Sequence, residues 1–189
     1  MFEMVSFIII SAIVYSTAVN RFNEFPEAAE RASFLAITTQ LQSGMSLEMM
    51  LGLTTGAVNS IQNYENMNPM DFMLKTPSNY LGALSQVATE TLPRRSWYFD
   101  SDTAELVYLI NEADNAFLIV NSTEVPTTEI RFRIVVSYRD PRTGATIRAS
   151  DIPESGISGL RLGGIVLSPV VPYRWKATEF FSPEMLTEG

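Results

Sequence analysis

The chain has 189 residues, 13 basic against 21 acidic side chains and a net charge of −8, a length that fits one domain with a full core. Hydrophobic residues make up 46% and charged residues 18%, too apolar a balance for an intrinsically disordered chain. Cysteine and histidine are both absent, which excludes disulfides, thiolate or imidazole metal sites, cysteine nucleophiles and His-based triads.

After Glu3, the 17 residues 4–20 carry no charge. As a helix they span ~25 Å, the lower edge of what a bilayer core requires. A signal peptide fits poorly, because Glu3 stands in place of a basic n-region and no small-x-small cleavage site follows. A buried core helix is the other plain reading. No Lys or Arg precedes the run and Arg21 follows it, against the positive-inside rule. Either the chain inserts backwards or a basic leader has been removed; the second expectation is simpler.

Helical spacing continues through Phe22, Phe25, Ala29, Ala32 and Leu35, with Arg21, Asn23, Glu24, Glu27, Glu30 and Arg31 on other faces. Pro26 interrupts the pattern and predicts a kink or break just before it, over residues 21–26. Residues 32–64 hold a single charge, Glu48. Phe34, Ile37, Leu41, Met45 and Met49 form one stripe, widened by Leu47, Met50 and Leu51. A helix this apolar must be covered, by its own domain or by other chains. Gly44 would cost ~1 kcal/mol inside it, and Gly52 and Gly56 read as end signals.

Beyond residue 64 the pattern turns to strands. Residues 68–84, punctuated by Pro69, Pro77 and Gly82, read as a turn, a short helix and an irregular loop. Residues 96–100 (SWYFD) and 105–110 (ELVYLI) predict a hairpin, and residues 117–120 another short strand. Residues 130–138 (IRFRIVVSY) alternate Arg131 and Arg133 with Ile130, Phe132 and Ile134, a strand with one solvated face near its start. Residues 140–144 are a strong turn, after which 145–148 pair back. Gly163-Gly164 precede an apolar strand, and residues 173–176 extend an edge strand after Pro172. The expected fold class is α+β, one long N-terminal helix packed on an antiparallel sheet. The divisions are 1–25, hydrophobic helix; 26–64, amphipathic continuation; and 65–189, a β-rich head.

Candidate sites are sparse. Asp100, Asp102, Glu105 and Asp140 suggest a calcium site, but EF-hand spacing is missing and such carboxylates are ordinary turn formers. No metal and no cofactor is therefore expected. Trp97, Tyr98, Phe99 and Tyr108 offer a stacking platform, against which alternation places about half of them in the core. Asn121-Ser122-Thr123 matches a glycosylation triplet or a polar turn. Arg94-Arg95 reads as a solvated pair or a partner contact. No convergent acid, base and nucleophile set exists, so no catalytic residue is assigned and an enzyme is not expected. Residues 1–129 hold 5 basic and 15 acidic groups, residues 130–189 hold 8 and 6. That balance argues against nucleic acid and suits a surface that meets an acidic one on a neighbouring copy.

Phe2-Glu3-Met4-Val5, the uncharged run to Asn20, the amphipathic extension and the β-rich head together resemble the type IV pilin family, including the pseudopilins of type II secretion. Residues 68–71, 77–82, 96–100 and 106–109 are similar to Gram-negative pilin-like proteins near the mannose-sensitive-haemagglutinin and type II secretion pilins. Glu3 matches the family's N-terminal glutamate and Phe2 the residue before it. The match implies either that two leading mature residues and a glycine-ended leader are missing here, or that the glutamate is displaced by two positions. Absent cysteines depart from the many pilins with a C-terminal disulfide loop.

The resemblance implies a structural subunit of a helical filament of identical chains, held in the inner membrane as a precursor and then extracellular. Phe2, Phe7, Ile8, Ile9, Ile10, Ile13 and Val14 would pack the filament core, Glu3 would set register, and Pro26 would break the helix. Motor ATPase, platform protein and prepilin peptidase are the implied partners. The alternative is a minor pilin or pseudopilin acting as a tip or binding module.

Overall fold

The computed structural model describes the backbone of residues 2–55, 64–152 and 159–176, with side chains from Pro26 onward. The chain divides into two compact units, Met1–Leu35 with Lys176–Gly189, and Ala36–Trp175. Among the described residues the fold is α+β, with one α-helix and a mixed, mostly antiparallel larger sheet.

Helix α1 is assigned over Phe2–Thr55, and Pro26 lies inside it. The assignment continues through Pro26 without interruption. Gly52 lies within α1 and is buried. Of the predicted stripe, Phe34, Ile37, Leu41 and Met45 are buried and Met49 is half-buried. Each such buried side chain contributes ~1.5–3 kcal/mol. Among the described residues, no helix is long and apolar enough to cross a membrane. The side chains of residues 4–20 lie outside them.

Among the described residues of the second unit, nine strands form two sheets: β1 (Tyr80–Leu84), β2 (Ser96–Asp100), β3 (Glu105–Leu109), β4 (Ala116–Val120), β5 (Thr123–Pro126), β6 (Glu129–Arg139), β7 (Thr146–Arg148), β8 (Arg161–Pro169) and β9 (Tyr173–Trp175). The larger sheet runs β1-β2-β3-β6-β7, with β8 also paired to β6; the smaller runs β5-β4-β9. The predicted β2–β3 hairpin, the strands at 117–120 and 130–138, and the return at 145–148 are all present.

Three expectations are corrected. Residues 80–84 are a strand, not irregular loop, and β1 pairs β2 in parallel, so the sheet is mixed rather than wholly antiparallel. Gly82 stands at φ +96° where the register shifts between Tyr80 and Ala83, so the residue read as punctuation is a bulge inside a strand. The polar-turn reading of 121–123 holds, with Asn121 (φ 49°) and Ser122 (φ 64°) making the tight turn of a hairpin, while Thr123 starts β5, a strand the residues alone did not suggest. Third, β8 begins at Arg161 and includes both Gly163 and Gly164. A Cβ on Gly163 would meet the Ser137 carbonyl oxygen at 3.2 Å, beside the bulge between Ser137 and Tyr138.

Both faces of the larger sheet are covered. On one, Met45 of α1 packs with Ile134, Val136, Tyr138, Ala149 and Ile165. On the other, Tyr98, Val107 and Leu109 pack under Leu84, Val87 and Leu92. Alternation thus fails to divide β2 and β3 into wet and dry faces, and Trp97, Tyr98, Phe99 and Tyr108 are all buried rather than half of them. Trp97 lies opposite Tyr108 with ring centroids 4.7 Å apart. Tyr173 packs edge-on to Phe132 at 5.7 Å and Trp175 approaches Tyr108 at 6.5 Å, so β9 ties the smaller sheet to the larger.

Candidate functional site

The outward side of α1 in the second unit carries a run of exposed large apolar side chains. Leu47, Met50, Leu51 and Leu53 are 54%, 61%, 50% and 50% exposed. They lie on α1 away from Ile37, Leu41 and Met45, because helical geometry separates them from the buried stripe. Beside them runs a groove of about 770 Å3 between α1 and residues 64–75, lined by Leu47, Leu51, Tyr64, Phe72 and Leu74.

The groove's far wall is held by short-range features. Asn68 accepts from the Met70 N–H at 3.1 Å, starting a single 3-10 turn at Pro69–Phe72, and donates through Nδ2 to the Tyr80 hydroxyl at 2.8 Å. Burial, outweighing the Asn68 bond, pushes the Tyr80 phenol up. Tyr64 packs edge-on to Phe72 at 5.3 Å and donates its hydroxyl proton to Glu48 Oε1 at 3.1 Å. Burial first, then the Glu48 carboxylate, raises its phenol pKa. Gly44 lets the Phe72 backbone lie directly on α1, where a Cβ would collide with the Phe72 carbonyl. The helix cost predicted for this glycine is thus the condition for close packing.

A second polar constellation lies on the β2–β3–β6 face. Arg131 bonds Glu129 at 2.7 Å through Nε, and Asp100 and Glu105 at 3.2 Å each through Nη1. Arg133 bonds Glu105 at 2.6 Å. Burial would lower the Arg131 pKa, but the Glu129 bond and charge, then Glu105 and Asp100, raise it well above the ordinary value. Burial likewise would raise Asp100; the Asp102 N–H and then Arg131 outweigh it and hold this carboxyl below its usual range. Asp100 and Glu105 therefore converge on the Arg131 guanidinium. Asp140 stands elsewhere, in the β6–β7 turn, where the Arg142 N–H at 2.8 Å holds its carboxyl low. Among the described residues, no group of three acidic side chains is arranged for a metal.

The predicted assembly residues Glu3, Phe2, Phe7, Ile8, Ile9, Ile10, Ile13 and Val14 have backbone within α1, but their side chains lie outside the described residues. Pro26 is exposed on α1. Two residues escaped the reading of the chain, Gln42 and Glu65, and Arg131, read as part of a solvated strand face, is instead largely buried among carboxylates. Gln42 was legible in principle, as the polar residue beside Leu41 on the buried side of the helix. No family model, curated protein or solved structure matches the chain.

Proposed function

We propose that the chain is a structural subunit of a type IV pilus-like extracellular filament, held in the inner membrane before assembly. The reading rests on one observation: α1 packs one stripe on its own sheet while Leu47, Met50, Leu51 and Leu53 stay half-exposed or more. Extensive apolar surface of this kind suits burial against repeated neighbours. The uncharged run 4–20 and its resemblance to pilins support the same reading.

On this proposal the N-terminal part of a long, continuous helix is first a membrane anchor and then the filament core. Phe2, Phe7, Ile8, Ile9, Ile10, Ile13 and Val14 exchange lipid for the side chains of other copies. That exchange gains packing alone, because lipid is as apolar as leucine, so assembly needs a motor ATPase and a platform protein. Glu3 pairs with an N-terminal amine of the same or an adjacent copy, and Pro26 opens the helix over residues 21–26 in the polymer. The test is transfer of the purified full-length chain from detergent into aqueous buffer, followed by electron microscopy. Filaments or ordered bundles are expected. A chain that stays dispersed without detergent defeats the proposal, and head antibodies that mark filament ends alone point to a minor pilin or pseudopilin.

A further inference from the structure

Strand β6 is bordered along one edge by β8 over its register from Phe132 to Arg139. Its other edge is shared by two short strands: β3 pairs as far as Phe132, and β7 starts at Ser137. Among the described residues, 133–136 therefore have no strand partner on that edge. Backbone groups alternate in direction along a strand, so Ile134 and Val136 turn theirs into this gap, as Ile130 and Phe132 turn theirs to β3. The Val136 N–H confirms the direction by donating to Glu65 Oε1 at 3.0 Å.

The gap opens into a cavity of about 230 Å3 lined by Glu65, Thr103, Arg133, Ile134, Arg148 and Ser150. Four residues of strand measure ~13 Å, room for about three residues of extended peptide. The flanks are cationic: Arg133 is 52% exposed despite its bond to Glu105, and Arg148 is exposed and makes no ion pair among the described residues. Glu65 already shows the chemistry the slot accepts, a carboxylate set on a strand-edge N–H.

We propose that this slot binds an extended acidic peptide segment, which bonds the Ile134 backbone as an added strand and places a carboxylate on Arg148. Main-chain pairing supplies affinity and the flanking guanidiniums supply the preference for acidic side chains. The inference is independent of the filament proposal, since it needs the β6 edge alone.

The test is fluorescence anisotropy on the full chain in non-ionic detergent, with a blocked, fluorescein-labelled Glu-Val-Glu-Val amide as probe. Saturable binding is expected, with the Ile134 amide gaining protection from hydrogen exchange. Arg148→Glu should weaken binding by about tenfold or more, the worth of one charge-assisted contact. Glu65→Gln keeps an oxygen for the Val136 N–H, removes a competing charge and should tighten binding. Arg142→Glu, in the β6–β7 turn outside the slot, should leave it unchanged. The proposal is overturned by absence of binding, by equal binding of a Lys-Val-Lys-Val probe, or by equal binding of a probe N-methylated on alternate amides. Equal losses in Arg148→Glu and Arg142→Glu would also overturn it, as marks of diffuse surface charge.

Discussion

Gly44 of α1 lies directly against the carbonyl oxygen of Phe72, so closely that no side chain fits between them. Two opposing effects meet there. Alanine would add ~1 kcal/mol of helix propensity. It would also drive a Cβ into backbone that cannot rotate away, an overpacking cost of ~1–3 kcal/mol or more. The clash should win, so Gly44→Ala is expected to lower Tm; a raised Tm would show that Phe72 does not rest on the helix in solution.

Gln42 links α1 to the edge of β8 that faces away from β6. Its Nε2 donates to the Ile165 carbonyl at 3.1 Å, and its Oε1 accepts from the Leu167 N–H at 3.0 Å. One side chain thus imitates a neighbouring strand on an edge that, among the described residues, no strand pairs. Gln42→Ala should cost ~1–3 kcal/mol by leaving both backbone groups unpaired. Urea unfolding reads the loss, and hydrogen exchange at Leu167 should accelerate. Unchanged exchange would mean that the bond is not formed.

Arg131→Met removes the guanidinium from between Asp100 and Glu105, whose side chains are 14% and 8% exposed. Two crowded carboxylates are left poorly solvated, at a cost of ~3 kcal/mol, the low end for a broken buried pair. The exposed pair Arg174–Glu124, at 2.6 Å with side chains 52% and 43% exposed, is the control. Arg174→Met should change stability by less than ~1 kcal/mol. Equal effects of the two substitutions would contradict the burial argument.

Acid should unfold the head through the same cluster. The Asp100 carboxyl is held below its ordinary value, so its contribution is fully present above the unfolded pKa of ~3.9. It is lost as pH falls through the lower native value. Denaturant midpoints measured down the acid range should therefore fall less steeply in Asp100→Asn than in the parent chain. Parallel slopes would remove Asp100 from the acid transition.

Glu3→Gln tests the proposed assembly. The substitution keeps the shape of the side chain and removes its charge beside a membrane-length apolar run. Membrane insertion should be unchanged and filament yield greatly reduced. Filaments at parental yield would leave register to apolar packing alone.

What the residues determined by themselves was local. The β-rich composition of 96–100 and 105–109, the alternation in 130–138, the Asp140–Gly144 turn chemistry and the three- and four-residue spacing from Phe34 to Met49 each follow from neighbours along the chain, and each element is where its pattern put it. Tertiary structure decided what those elements meet. The parallel pairing of β1 is not written in Tyr80–Leu84, because a strand five residues long reads the same whichever way its neighbour runs. Covering the sheet on both faces buried Trp97 and Tyr98 together, although they point in opposite directions. Gln42 bonds residues 123 and 125 positions away, and Glu65 reaches a strand 71 positions away. Whether a segment is helix or strand follows from backbone periodicity, which the chain carries locally; strand partners and side-chain bonds to distant backbone exist only once packing has brought the two together.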